Sequence, residues 1–382
     1  MKRKVCVVTG TRADYGILFP VLKAINTSEN LELLIVATCM HLMQEFGYTI
    51  NEIERDGFKI FEKIDISYSK DTGEAMAYSL GKALSAFSKV FSRLRPDIVV
   101  VLGDRGEMLA AVVASDYLNI PIAHIHGGEV SGHVDGLLRH AITKLAHIHF
   151  PATQKAKERI IKLGEEPWRI FCVGAPALDR ILNEKLPDKK ILTSEYRIQD
   201  NLPLVLLIQH PVIGEYKEAG KQIKLTLEAL KEFKLQTIVI YPNADAGGRK
   251  MILVIERYEK NHLVKSFKSI SHRDYLGLMR IASFLIGNSS SGIIEAPSFK
   301  IPVINIGVRQ NGRERSTNVI DVPHDKDAIV KAIKKALYDK KFLAQVKRCK
   351  NPYGDGHASE QIVKVLSTIK LDKKLLQKQI TY

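Results

Sequence analysis

His124-Ile125-His126-Gly127-Gly128-Glu129-Val130-Ser131-Gly132-His133-Val134-Asp135-Gly136, followed at once by Arg139-His140, is the part of this chain densest in residues that move protons. If extended backbone runs through its start, His124 and His126 share a face, and the glycines let Glu129 and Asp135 approach a common point. Carboxylates and histidines gathered around a cleft serve general acid/base chemistry. An H-x-H pair beside carboxylates is also how some metal sites begin. No third His or Cys follows at a convincing interval, so metal is the weaker reading.

Other segments carry similar promise. Gly103-Asp104-Arg105-Gly106-Glu107 places Asp104 and Arg105 just after an apolar run, where Asp104 either enters a cleft or merely caps a helix. His210, in Gln209-His210-Pro211, follows another such run, although a single histidine is more often structural. Gly10-Thr11-Arg12-Ala13-Asp14-Tyr15-Gly16 is a glycine-bounded turn into a helix, a natural anion site with Arg12 adding charge, or else an ordinary turn. Gly287-Asn288-Ser289-Ser290-Ser291-Gly292 offers three hydroxyls and backbone N–H groups to a phosphate at the start of a helix running through Glu295-Ala296-Pro297. A serine cap would need only one of those serines. Glu295 is spaced to accept hydrogen bonds from a ribose diol. Asn243, in Tyr241-Pro242-Asn243-Ala244-Asp245, and Arg309, in a basic run reaching Arg315, are either site residues or parts of solvated loops. No G-x-G-x-x-G fingerprint occurs, which argues against a nicotinamide enzyme.

These segments must be positioned by something. Short apolar runs alternate with amphipathic stretches, the pattern of parallel strands joined by crossover helices. Strands are expected at Lys4–Thr9, Leu33–Thr38, Phe58–Lys63, Ile98–Leu102, Ile122–Ile125, His147–Pro151 and Ile170–Val173. A second series covers Leu204–Gln209, Thr237–Tyr241, Leu263–Phe267, Phe284–Gly287 and Val303–Ile306. The polar stretch Asn183–Pro203 reads as a boundary. The expected fold is α/β, with two Rossmann-like, doubly wound domains facing a cleft: an N-terminal domain of residues 1–183 and a C-terminal nucleotide-binding domain of residues 184–357. The lysine-rich stretch 358–382, helical by pattern over Ala358–Lys378, is expected to return to the first domain. Ligands of such sheets sit beyond the carboxyl ends of the strands, and the chemistry-bearing segments lie there.

The chain has 382 residues, with 57 Lys+Arg against 42 Asp+Glu, a net charge of +15. That excess points to a polyanionic partner, either nucleic acid or a phosphorylated small molecule. Nucleic acid would require clustered basic residues interleaved with aromatics, and the lysines are dispersed. The four cysteines, Cys6, Cys39, Cys172 and Cys349, form no C-x-x-C pair, so neither a zinc ribbon nor a disulfide framework is indicated. The apolar run Val5–Val8 is too short for a secretory leader, and no stretch approaches a membrane span. A soluble, cytoplasmic protein without a membrane partner is expected.

Taken in order, G-T-R-A-D-Y-G at Gly10–Gly16, G-D-R-x-E at Gly103–Glu107, H-I-H-G-G-E-V-S-G at His124–Gly132, R-H-A-I-T-K-L-A-H at Arg139–His147, Q-H-P at Gln209–Pro211, Y-P-N-x-D-A-G at Tyr241–Gly247 and G-N-S-S-S-G-I-I-E at Gly287–Glu295 resemble the UDP-N-acetylglucosamine 2-epimerases. They are most similar to the hydrolysing branch that forms N-acetylmannosamine for sialic acid synthesis. The resemblance implies a glycosyltransferase-B-like fold and a nucleotide-sugar substrate. It also implies loss of the C2 proton, anti elimination of UDP and hydration of a 2-acetamidoglucal. Neither cofactor nor metal is implied, and a homodimer or homotetramer is. By position, Asp104 and Asp135 match acid/base or charge-stabilising carboxylates, and His210 matches a histidine near the leaving diphosphate. Arg12, Arg105, Asn243, Ser289, Ser290, Ser291, Gly292, Glu295 and Arg309 fall in nucleotide-binding segments. Where some relatives read H-I-E-G-G-E, this chain has His126. Glu129 is therefore given a catalytic role, with His126 as its rival. An alternative substrate for the same machinery is UDP- or GDP-linked 2,4-diacetamido-2,4,6-trideoxyglucose, and nucleic-acid binding is the alternative from a different class.

Overall fold

The computed structural model describes residues 2–68, 70–132, 134–260 and 262–382; His133 of the histidine-rich segment lies outside them. Its strands form two sheets. The first contains β1 (Arg3–Thr9), β2 (Leu31–Thr38), β3 (Ile60–Ile64), β4 (Ile98–Leu102), β5 (Ile122–Ile125) and β6 (Ile148–Phe150). The second contains β7 (Leu204–Ile208), β8 (Gln236–Ile240), β9 (Val264–Phe267), β10 (Phe284–Gly287), β11 (Val303–Ile306) and β12 (Val319–Val322). The orders are β3-β2-β1-β4-β5-β6 and β12-β11-β10-β7-β8-β9, so the second sheet repeats the first when read from its other edge.

The central strands are apolar throughout because helices cover both faces. Along β1, Val5 and Val7 enter one core while Cys6 and Val8 enter the other. β4 (Ile-Val-Val-Val-Leu) and β7 (Leu-Val-Leu-Leu-Ile) are buried at every residue. All pairings are parallel, and in each sheet the order reverses between two central strands, β1 and β4 in the first, β7 and β10 in the second. Crossovers leave these strands in opposite directions and open a crevice between their carboxyl ends. The segments beginning at Gly10, Gly103, Gln209 and Asn288 follow these four strands.

Four expectations need correction. Ile170–Val173 is not a strand: only an isolated bridge joins Ile170 to His149, with Phe171 N–H bonded to the His149 carbonyl at 2.9 Å. β12 was not foreseen because Asp321 interrupts its apolar run, and this half-exposed edge strand needs no continuous hydrophobicity. The C-terminal stretch is not one helix. Ala358–Thr368 is helical and then breaks, and only Lys373–Leu376 resumes. After Ser291 the backbone makes two short turns, Ser291–Ile294 and Ala296–Phe299, because Pro297 cannot continue a helix begun before it.

The helix Ala358–Thr368 packs Ala358, Ile362 and Leu366 into the first core beside Val21, Leu22 and Ile25. The polar stretch after Asn183 contains the helix Lys189–Glu195, whose Leu192 joins the second core. No helix among the described residues is long and apolar enough to cross a membrane.

Candidate active site

The turn after β1 is built around Asp14. Its carboxylate accepts from Thr9 Oγ1 at 2.6 Å and from the N–H groups of Gly10 and Thr11 at 3.0 Å. Thr11 in return caps the helix Arg12–Asn26. Asp14 is thus consumed in holding the turn, which leaves Arg12 to face the cleft. The Arg12 guanidinium stacks 5.3 Å from the Tyr275 ring, and Tyr275 Oη lies 2.5 Å from Ser291 Oγ.

Opposite, Asn288 fixes the turn after β7: His210 N–H donates to Asn288 Oδ1 at 2.7 Å, and Asn288 Nδ2 donates to the His210 carbonyl at 2.9 Å. The Asn243 N–H donates to His210 Nδ1 at 3.1 Å, so the neutral ring carries its proton on Nε2. His210 lines a cavity shared by both sheets, together with Arg12, Asp104, Asp135, Ser290 and Arg309. Asn243, Ser289, Ser291, Arg105 and Glu295 line it as well.

Gly292 does not. A β-carbon there would lie 2.8 Å from Val303 Cγ1, so its small size serves packing beneath the serines. The serine segment opens only a four-residue helix, so its capacity for phosphate rests on hydroxyls and nearby cations more than on a helix dipole. Glu295 Oε1 accepts from His272 Nε2 at 2.9 Å.

Arg105 is locked on the same wall. Its Nε donates to Glu107 Oε1 at 2.6 Å and its Nη2 lies 3.5 Å from Asp245 Oδ1. Burial opposes its charge, but these carboxylates outweigh burial and keep it protonated.

Asp104 is ion-paired with Arg139. Asp135, one helical turn before Arg139, lies 3.7 Å from Arg309 Nη2. Burial first, then the nearby Asp104 charge, raises the Asp135 carboxyl from an ordinary 3.8 to about 7, against the opposing pull of Arg309. One carboxyl held by an arginine beside another poised near neutrality is an arrangement for acid/base work.

The H-x-H pair is split. His124, on β5, lies in the core, with Nε2 donating to the Gly103 carbonyl at 2.7 Å; burial lowers its pKa to about 3. It steadies the turn that presents Asp104. His126 lies beyond the end of β5 with a left-handed backbone (φ 62°), so it does not share a strand face with His124. Its Nδ1 lies 2.5 Å from Glu129 Oε1. The ring borders the inner end of the cleft with Asp104, Asp135 and Arg139. Glu129 does not converge with Asp135. It sits behind His126, its other oxygen 3.1 Å from Arg313 Nη2, on a separate small cavity that also touches Tyr353. Among the described residues, no group of three or more His, Cys, Asp or Glu is arranged to hold a metal ion.

Sequence reasoning passed over Arg139, Arg313, His272 and Tyr275 as site residues. Arg139 was findable, since four residues after Asp135 on a helix puts both side chains on one face. Arg313 and the His272–Tyr275 pair arrive from loop and helix packing that carries no local signature.

Residues 23–367 match the family described as UDP-N-acetylglucosamine 2-epimerase. The chain is 42% identical over 382 residues, all of both chains, to a Legionella pneumophila protein named UDP-N,N'-diacetylbacillosamine 2-epimerase (hydrolyzing). It is 41% identical over 324 residues, 84% of each chain, to a Campylobacter jejuni protein named GDP/UDP-N,N'-diacetylbacillosamine 2-epimerase (hydrolyzing). Among solved structures, Neisseria meningitidis UDP-GlcNAc 2-epimerase bound to UDP-GlcNAc superposes with a TM-score of 0.80 at 20% identity, over 95% of this chain and 99% of that one. The architecture is glycosyltransferase-B-like. Both relatives are named for a diacetylbacillosamine sugar, the type of substrate expected above as the alternative and not that of the sialic acid branch.

Proposed function

The chain belongs to the UDP-N-acetylglucosamine 2-epimerase family, and from that premise we propose that it hydrolyses and epimerises a nucleotide-linked 2,4-diacetamido-2,4,6-trideoxyglucose, with UDP as the nucleotide. The observation that carries this reading is the full-length 42% identity to the Legionella pneumophila enzyme named for that sugar. N-acetylmannosamine formation from UDP-N-acetylglucosamine becomes the secondary reading. The inner end of the cleft adds support: Ile17, Leu102 and Ile294 give it an apolar wall, suited to a 6-deoxy carbon.

In this reading the diphosphate lies between Arg12, the serine segment and Arg309, with Glu295 toward the ribose. His210, protonated on Nε2, donates to the departing phosphate oxygen. The C2 hydrogen is only weakly acidic, so its removal must be concerted with loss of UDP, and the Asp104 carboxylate stabilises positive charge growing at C1. Water then adds to the glycal, and a proton returns to C2 on the opposite face. The products are UDP and free 2,4-diacetamido-2,4,6-trideoxymannose. In this reading the second sheet's segments supply most nucleotide contacts, Arg12 reaches them from the first sheet, and the first sheet's segments bring the carboxylates Asp104 and Asp135.

Incubation in D2O with UDP-N,N'-diacetylbacillosamine, its GDP counterpart and UDP-N-acetylglucosamine, followed by NMR, tests the proposal. Free UDP with a C2-deuterated manno product is expected, with kcat/KM at least tenfold above that for UDP-N-acetylglucosamine. A product still attached to UDP overturns hydrolysis. Preference for UDP-N-acetylglucosamine overturns the substrate assignment.

A further inference from the structure

We propose that His126 is the group that takes the C2 proton and that Glu129 and Arg313 position it, an inference that rests on the 2-epimerase reading above. Two features of the ring point that way. Its Nδ1 meets a carboxylate, and its Nε2 is buried with no hydrogen-bond partner among the described residues. A buried nitrogen left without a partner is a cost to the fold, tolerated where a ligand will meet it.

The local structure aims the ring deliberately. β5 ends at Ile125, and the His126 N–H donates to the Phe150 carbonyl at 3.0 Å while its backbone turns left-handed. A non-glycine residue keeps that conformation only where its surroundings hold it, and such residues cluster at functional sites. Glu129 is itself held. Burial would raise its carboxyl, but Arg313 first, then His126 and Arg139, outweigh burial and keep it ionised. An ionised carboxylate can only accept, so Nδ1 bears the proton and the neutral ring presents a lone pair at Nε2. The charged groups around the ring are Glu129 on its own loop, Asp104 after β4, Asp135 and Arg139 on the helix Val134–Leu145, and Arg309 and Arg313 after β11.

Inversion at C2 requires the proton to leave one face and return to the other, which a single group cannot do while the intermediate stays fixed. Nε2 of His126 takes the C2 proton, the C–H electron pair becomes the C1=C2 bond, and the C1–O bond breaks with its pair leaving on UDP. Glu129 then faces an imidazolium. Protonated Asp135 returns a proton to the other face of C2 as water bonds to C1, and the water's proton passes to the Asp104 carboxylate. Exchange with solvent resets the three groups, with one net proton released alongside UDP.

The test compares wild type, His126→Gln and Glu129→Gln on UDP-N,N'-diacetylbacillosamine, with UDP affinity measured by calorimetry. His126→Gln is expected to lower kcat at least 10³-fold with the UDP Kd within threefold of wild type. Glu129→Gln should lower kcat 10- to 100-fold and move the acid limb of the kcat profile to lower pH, because the imidazolium loses its counter-ion; a residue that only stabilised the fold would leave that limb in place. A His126→Gln enzyme within threefold of wild-type kcat, or an unmoved limb in Glu129→Gln, overturns the proposal. Should either variant fail to fold, ¹⁵N-histidine NMR of the wild type decides: an Nδ1-protonated His126 upholds the assignment and an Nε2-protonated one overturns it. A wild type that releases no UDP from any nucleotide sugar sinks the 2-epimerase reading instead, and the tautomer measurement separates the two failures.

Discussion

Asp135 and Asp104 stand in the same cleft, where burial first and then the nearby Asp104 charge push the Asp135 carboxyl up. Asp104 holds Arg139, whereas Asp135 lies 3.7 Å from Arg309 and is buried beside the Asp104 charge. A carboxyl raised from 3.8 to about 7 favours the folded state in its protonated form, so its contribution is fully present below pH 4 and is lost as pH rises toward 7. Above that, the fold carries a buried anion near another. Asp135→Asn should therefore raise the unfolding free energy at pH 8 by on the order of 1 kcal/mol, with no gain at pH 4, while kcat falls roughly 10²-fold or more. Thermal unfolding at the two pH values checks the first part; equal effects at both would show that Asp135 is not raised. In wild type, a protonated Asp135 acting as acid predicts that kcat declines as pH passes upward through about 7. The types and order of these residues were legible from the sequence, and so was their place after strands. The placement of His126 and Glu129 was not, because one left-handed residue re-aims the loop and spacing counts assume regular backbone.

At the scale of elements, the crevice depends on how closely the central strands approach. Gly287 ends β10 with φ 128°, and a β-carbon there would lie 2.0 Å from the Ile208 carbonyl of β7. That carbonyl accepts the Asn288 N–H at 3.1 Å, so the serine segment and the His210 turn share this contact. Gly287→Ala should destabilise the second sheet by roughly 3 kcal/mol or more, since it combines backbone strain with a clash against backbone. Gly81 is the control. It sits exposed within the helix Gly73–Leu94 with nothing within 4 Å of an added β-carbon, and Gly81→Ala should stabilise by about 0.5–1 kcal/mol. Chemical denaturation of both variants reads the difference; similar midpoints would remove Gly287 from the account. Strands such as β4 and β7 were legible because burial on both faces leaves an unbroken apolar run. β12 lay beneath that signal, as an edge strand touches one neighbour and tolerates Asp321. Ile170–Val173 looked like a strand for the converse reason: apolar residues that cover a core make a run without pairing along it.

For the whole molecule, loops that follow strands of the two sheets are tied directly to one another. Arg249, at the start of the helix Gly248–Tyr258, pairs with Glu45 and donates to the Tyr68 carbonyl at 2.7 Å. The neighbouring Gly247 N–H donates to Asp71 Oδ1 at 2.8 Å, and Tyr68 Oη donates to the Ala244 carbonyl at 2.8 Å. These ties link the loop after β8, which carries Asn243, to the segments after β2 and β3, so they close over the cavity that His210 and Asp104 line. The net charge of +15 does not all face the cleft: the proposed nucleotide sugar would meet only a few arginines such as Arg12 and Arg309, and Arg249 is paired with Glu45. Removing a half-exposed ion pair costs a fold little, typically under about 1 kcal/mol, but a closure equilibrium passes any such loss directly into ligand affinity. Arg249→Ala is therefore expected to raise KM and the Kd for UDP about three- to tenfold with the melting temperature nearly unchanged. Unaltered UDP binding would mean that the Gly247–Asp71 and Tyr68–Ala244 ties suffice without Arg249. A fall in kcat with KM unchanged would instead place Arg249 in the chemistry, which the cavity's lining argues against: neither Arg249 nor its partners Glu45 and Tyr68 line the cavity that holds Asp104 and Asp135.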